Sequence, residues 1–397
     1  MTNGYSFTYS IPYLLSGIFL FVLAYTEYKL KNKDDKKRKI RHLCWIFFIF
    51  FFGFRGFVAY DWFEYYKVFR DTGNIFNLSK ESFVKLVDMG DVVEPFFVLY
   101  ISIIKTLFNN WSIFVLISSF IDLIVINYLF KKYSPNYAFS MLLFFAMSIT
   151  LEFDAMRNAK ALIIFLLSLD SIYNRKFIKF CILVFIGFMF HRSMLLFFPF
   201  YFIANVKSTK NTLIILFIIL NVIYFSRLEL AHFIIGKYIS IFGGEIGEKA
   251  YWYSVNQEIS STRGFTMGYF SRSITYFLIV FYYNQIVNNF KYGKLFINAY
   301  LTYFVMTFAF SDFKVFIDRI ELIFSFSYWF IWPYIIYCIK KQQIKSLLFV
   351  GMIIFCFLKI FKQTNNIMYD YENILTGSSS YNERISSHFN HKNLLTK

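Results

Sequence analysis

Apolar runs close to bilayer-spanning length follow one another along almost the whole of this sequence, and no other feature restricts its fold as tightly. Thirteen can be drawn, over residues 11–29, 43–59, 93–108, 111–130, 137–152, 158–173, 177–190, 193–205, 211–226, 269–287, 295–311, 320–338 and 346–361. A helix needs about 20 mostly apolar residues to cross a hydrocarbon core of about 30 Å. Inside that core it keeps its backbone N–H and C=O groups bonded within itself. Composition agrees: 58% of the 397 residues are hydrophobic and 16% charged, with mean hydropathy +0.50. Soluble chains run at about 45–50% and about 25%, so charge this sparse cannot coat a water-facing surface. The expected fold is all-α, a polytopic transmembrane helix bundle of about 12–14 spans with one large external loop. Residues 1–361 are read as the membrane domain, and 362–397, polar and rich in Asn and Ser, as a mobile tail.

The formal net charge of +17 would raise nucleic acid as a partner for a soluble chain, but no nucleic-acid motif is present and none is expected to bind. Much of the excess lies in short loops, as the positive-inside rule requires. Residues 31–41, KNKDDKKRKIR, hold seven Lys/Arg against two Asp and mark the cytoplasmic side most clearly, with Lys131–Lys132, Arg175–Lys179, Lys207–Lys210, Lys291–Lys294 and Lys340–Lys345 as further markers. The N-terminus then lies outside, and its first apolar run reads as a retained helix, without the basic start and cleavage site of a signal peptide. Between 31–41 and 131–132 the chain must cross an even number of times, yet three runs lie there. The short run 93–108, opening with Glu94-Pro95, is the expected re-entrant or tilted segment. Cys44, Cys181, Cys338 and Cys356 sit in apolar runs without a CxxC pair, which is neither a disulfide framework nor a zinc site. No metal or cofactor is expected.

Two external stretches are long, 60–92 and 227–268. In the second, AHFIIGKYISIF reads as an amphipathic helix on the membrane surface. Ionisable residues in or beside spans are costly and usually face a cavity or a partner. Four clusters of them fall on the predicted outer side. In FFGFRGFVAYDWFEYY, Arg55 lies between Gly53 and Gly56, and Asp61, Glu64 and Tyr65 share a helical face. Arg55 either holds a phosphate or pairs with Asp61. In LEFDAMRNAKALIIF, Arg157 and Lys160 open a helix, where the dipole already favours anions. Arg157 either receives an external anion or pairs with Asp154. In FIGFMFHRSML, His191 and Arg192 interrupt an apolar stretch at an expected turn. The histidine is a general-base or phosphate-orienting candidate, or a satisfied structural one. In FSDFKVFIDRIELIF, Arg319 opens a late span within a set of charges that could equally be an interfacial ion-pair network. Arginine presents a planar fork of permanent charge suited to phosphate oxygens, so their convergence suits a diphosphate whose lipid tail stays in the bilayer.

The order FRG-x4-D-x3-YY, EPFF, MRNAKAL and FHRSML-x3-PFYF resembles the EpsG/Wzy-type family of polysaccharide repeat-unit polymerases, the enzymes of O-antigen, capsule and exopolysaccharide synthesis. The resemblance spans about residues 50–205 and, more weakly, Asp318-Arg319. Ala59-Tyr60 stands where the family usually has Gly-Thr, and Asn158 where it has Gln. The resemblance implies a multi-pass enzyme of the bacterial inner membrane that transfers a glycan from undecaprenyl diphosphate to a second lipid-linked repeat unit at the outer face. Arg157, Arg55, Arg319 and Arg192 would bind the diphosphate without a metal, there being no DxD motif in a suitable soluble domain. His191 or Asp61 would act as the base, with Glu94 a third possibility, and Glu64, Asn158 and Lys160 would support them. The implied partners are undecaprenyl-diphosphate-linked oligosaccharide and the lipid bilayer, with a chain-length regulator and a flippase of the same pathway. The rivals are a lipid-linked oligosaccharide flippase, which should carry internal repeats that are not seen, an O-antigen ligase-like transferase, and a membrane O-acyltransferase built on an intramembrane His.

Overall fold

The computed structural model describes residues 4–30, 33–79, 93–226 and 264–386, together with 228–230 and 233. The expected surface helix over 231–242 and most of the large loop fall outside the described residues. Among the described residues the chain is helical throughout, with isolated bridges and no sheet. In chain order the helices are α1 (Phe7–Lys29), α2 (Asp34–Phe48), α3 (Trp62–Asp71), α4 (Pro95–Leu107), α5 (Trp111–Tyr133), α6 (Tyr137–Phe153), α7 (Met156–Leu167), α8 (Leu169–Tyr173) and α9 (Phe177–Phe188). They continue as α10 (Phe200–Ile203), α11 (Lys210–Phe225), α12 (Met267–Asn289), α13 (Gly293–Ala309), α14 (Lys314–Phe324), α15 (Phe326–Cys338) and α16 (Gln342–Thr364). A π-helical turn, Ile49–Gly53, extends α2, and a 3-10 turn, Arg192–Phe197, precedes α10.

The all-α polytopic membrane bundle is what the sequence requires. Among the described residues, three unbroken helices have the length and apolarity to cross a membrane, α1, α5 and α16, and the bent pair from Ile317 through Cys338 makes up to four. Other apolar runs fold as shorter helices, such as α6, α9 and α11. Ionisable and polar residues interrupt several of them.

The chain divides into two compact units, Met1–Pro199 with Leu347–Lys397, and Phe200–Ser346. In the first, the basic loops gather at one end. Glu27 near the end of α1 accepts the Ala138 N–H at the start of α6 (2.7 Å), and Lys132 at the end of α5 pairs with Asp170 in α8. The opposite, distal end carries the ends of α6 and α9 and the starts of α5 and α7. An aromatic core lies beneath it, in which Tyr13 meets Phe51 and Phe153 edge-on.

Helix α4 covers the run expected to be re-entrant or tilted. Its first turn contacts the start of α7 and the end of α9 through Glu94. Near its last turn, Lys105 Nζ donates to the carbonyls of Phe69, Arg70 and Thr72 at the end of α3, and the chain passes directly into the start of α5. Both ends of α4 therefore belong to the distal end.

The segment after α16, expected from its composition to be a mobile tail, makes contacts with the unit as far as Arg384. The π turn leaves carbonyls without helical partners, and backbone groups of this kind must be satisfied somewhere. Asn373 Nδ2 donates to Phe50 O (3.1 Å) and the Tyr371 hydroxyl to Phe51 O (2.8 Å), with the Tyr371 ring stacked on Phe51 at 4.6 Å. The Gly56 N–H donates to Glu372 O, Ala59 N–H to Met368 O, and Arg384 Nε to Phe57 O. At Gly56 a Cβ would lie 3.0 Å from Glu372 Cβ, so glycine admits this strap. Ala59 takes φ +77°, a left-handed conformation natural to glycine.

In the second unit, α12–α15 pack through stacked rings such as Phe296 on Phe330 (4.2 Å). Arg272, inside an apolar helix, is buried against Tyr303 and Glu321.

Candidate functional site

The distal end of the first unit gathers most of the residues singled out from sequence, and Glu94 is their hub. Pro95 sets the first turn of α4, where a missing N–H costs nothing, and leaves Glu94 extended at the N-cap. Its carboxylate is 6% exposed. Oε2 accepts from Arg157 Nη1 at 2.8 Å, Oε1 accepts the Arg192 backbone N–H at 3.3 Å, and His191 Nε2 stands 4.0 Å away. Arg157 therefore pairs across 63 residues with Glu94. Its guanidinium keeps 27% exposure and lies 6.0 Å from the centre of the Tyr65 ring.

Asp154 does not make the expected pair with Arg157. One oxygen accepts the N–H groups of Tyr60 (2.6 Å) and Asp61 (3.1 Å), and the other accepts the Tyr369 hydroxyl (2.6 Å). Asp154 thus ties the start of α3 and the C-terminal strap to the turn between α6 and α7. Burial pushes its carboxyl up to about 6 against these hydrogen bonds, with nearby Asp61 adding to the rise. The Tyr65 hydroxyl donates to Asp154 O (3.3 Å). Burial holds it up at about 12, Arg157 lowering and Asp61 raising it, so Tyr65 remains a protonated donor between these two charges.

The His191 turn is organised by its own chain. Nδ1 lies 2.8 Å from Ser193 Oγ and 3.1 Å from the Ser193 N–H, and Ser193 Oγ donates to Asn158 Oδ1 at 2.6 Å. Asn158, buried on α7 one position after Arg157, therefore locks the turn carrying His191 and Arg192. The Arg192 side chain is exposed, as are Asp61 and Glu64.

Residues 38–374 match the family model described as the EpsG family. The chain belongs to the EpsG family. It is therefore a membrane protein of the family of Wzy-type polysaccharide polymerases. No curated protein and no solved structure matches it. Every candidate residue of this EpsG-family chain, from Arg55 to Arg319, lies inside the matched stretch.

Two arginines occupy different surroundings from those expected. Arg55 is 5% exposed, and its guanidinium is committed to the protein. Nη1 donates to Phe52 O (2.6 Å) and Ser119 Oγ (3.0 Å), Nη2 to Glu152 O (2.8 Å), and the Phe153 ring lies 5.1 Å away. Its partner is not Asp61; it braces the π turn against α5 and α6. Arg319 is exposed on α14 in the second unit and is not among the residues gathered around Glu94.

Lys160 is 4% exposed and bonds Asp122, with its Nζ also donating to Ser118 O at 2.9 Å. It is an interior residue beneath Arg157. Asp122 escaped the sequence reading although it is a lone carboxylate in the apolar run 111–130, the kind of residue that intramembrane cost should flag. Arg272 escaped in the same way. Among the described residues, no three His, Cys, Asp or Glu side chains gather as a metal site.

Proposed function

We propose that this EpsG-family protein is a glycosyltransferase that polymerises undecaprenyl-diphosphate-linked oligosaccharide repeat units at the outer face of the bacterial inner membrane. The observation that carries the reading is the partly exposed Arg157, held by Glu94 and Tyr65 at the end of the unit remote from the basic loops, with exposed Arg192 on the neighbouring turn. An acceptor hydroxyl attacks the donor's anomeric carbon, the bond from that carbon to the diphosphate oxygen breaks, and undecaprenyl diphosphate departs with the bonding electrons. Arg157 and Arg192 stabilise the charge that develops on it, an electrostatic role in which loss of one donor costs about 10²–10³ in rate. Asp61, exposed and one turn before Tyr65, takes the hydroxyl proton. His191, flanked by Ser193 on one nitrogen and Glu94 on the other, orients the Arg192 turn.

The test is deletion of the gene in its host, with surface polysaccharide resolved by size. A polymerase loss leaves single repeat units on the surface, whereas a flippase loss leaves none. Complementation with Arg157→Ala at wild-type protein level reproduces the single-unit pattern. Full-length polymer from that variant refutes the assignment.

A further inference from the structure

Helix α3 faces two different environments with adjacent tyrosines. Tyr65 turns to Asp154 and Arg157. Tyr66, about 100° further round the helix, lines a separate cavity of about 440 Å³. Its other walls are Trp111 and Asn109 at the turn into α5, Arg70 at the end of α3, and Tyr381 from the C-terminal strap. The Tyr66 and Tyr381 rings stack at 4.3 Å with planes 22° apart, and Trp111 meets Tyr66 edge-on at 5.5 Å. Arg384 anchors the strap that delivers Tyr381, pairing with Glu372 at 3.2 Å and donating to Phe57 O.

The cavity combines aromatic surface with unused polar handles. Among the described residues, the Tyr66 and Tyr381 hydroxyls, the Trp111 indole N–H and the Asn109 side-chain amide have no hydrogen-bond partner. An aromatic ring with a polar tip suits ligands that are apolar on one face and hydrogen-bonding at the edge. A pyranose is such a ligand, with a C–H face to lie against a ring and hydroxyls around its rim. The volume lies in the range of small-ligand sites and admits about two sugar rings. Neither cation in the wall is left uncompensated: the Lys105 ammonium caps the three carbonyls ending α3, and Arg70 Nε pairs with Asp71 at 2.8 Å. The cavity thus favours a neutral, polyhydroxylated ligand over a phosphate.

We infer that the Tyr66–Trp111–Tyr381 cavity is a carbohydrate subsite that takes sugars of the repeat unit, and that the C-terminal strap completes it. The identity of the sugar carrier rests on the polymerase reading, while saccharide binding here does not. The test uses the purified full-length protein in detergent and, as probe, the host's repeat-unit oligosaccharide released from its lipid by mild acid, without diphosphate or isoprenoid. Calorimetric titration gives saturable binding to the wild type. Tyr381→Ala weakens it about tenfold, the scale of one lost aromatic contact, and Tyr381→Phe keeps it within about threefold. Trp111→Phe, which retains a ring and removes the N–H, gives an intermediate loss. A folded wild-type protein that binds no oligosaccharide overturns the inference, as does unchanged affinity in Tyr381→Ala. If Arg157→Ala still makes full-length polymer while oligosaccharide binding depends on Tyr381, the polymerase reading fails and the subsite stands.

Discussion

Replacing Lys160 with Met should destabilise the protein severely, and replacing Asp122 as well should restore most of the loss. The two side chains are 4% and 5% exposed, so neither is screened by water when its partner goes. Lys160 Nζ also donates to Ser118 O, and Asp122 Oδ1 is buried without a partner. Breaking a buried pair by removing one member costs about 3–5 kcal/mol, because it leaves an uncompensated charge. That shifts the folded-to-unfolded ratio by about two to three and a half powers of ten. Substituting both residues with apolar ones removes the orphan and is often close to neutral. Reversible SDS titration of purified Lys160→Met, Asp122→Val and the double variant measures this, with a coupling of about 2 kcal/mol or more expected between the two changes. Additive single effects would show that the pair is not the unit described and would refute the reasoning.

Arg55→Lys should lower thermal stability, since an ammonium cannot reach Phe52, Ser119 and Glu152 from one fork, while polymer formed per folded molecule stays within about threefold of wild type. Truncation after Thr364 leaves the carbonyls of Phe50, Phe51 and Phe57 without their strap donors. At about 1–3 kcal/mol per unsatisfied buried group, it should abolish a monodisperse elution profile, whereas Tyr371→Phe costs about 1 kcal/mol. Because folding raises the Asp154 carboxyl from the ordinary range to about 6, the native state holds more protons than the unfolded one over that window. Its contribution therefore makes stability fall as pH rises from about 4 to about 6. Asp154→Asn, which can still accept from Tyr60 and Asp61, should flatten that stretch of the stability profile.

The helical membrane fold was legible because apolar run length and sparse charge admit little else. The charged motifs around the site were legible as clusters, since Glu94-Pro95, Arg157 and His191-Arg192 each interrupt an apolar context at visible cost. What local sequence could not supply was pairing. Arg157 has Asp154 one turn away, yet its partner is Glu94, 63 residues away at the start of α4. Arg55 stands beside Asp61 in sequence, yet a π turn exposes carbonyls that claim its guanidinium. The strap misled by composition, because its Asn and Ser residues outnumber the three tyrosines that anchor it. Asp122 was readable from the start, since a single carboxylate in a long apolar helix demands a cation, and Lys160 was already in view.

The most direct test of the account is the affinity of the purified protein for a short polyprenyl diphosphate, compared with the matching monophosphate, in the wild type and in Arg157→Ala. A site built on the partly exposed guanidinium of Arg157 beside Arg192 binds the diphosphate more tightly than the monophosphate. In Arg157→Ala the diphosphate should bind about a hundredfold more weakly, with the elution profile unchanged. Equal diphosphate affinity in the two proteins would contradict the account, and so would a wild type that does not distinguish the two lipids.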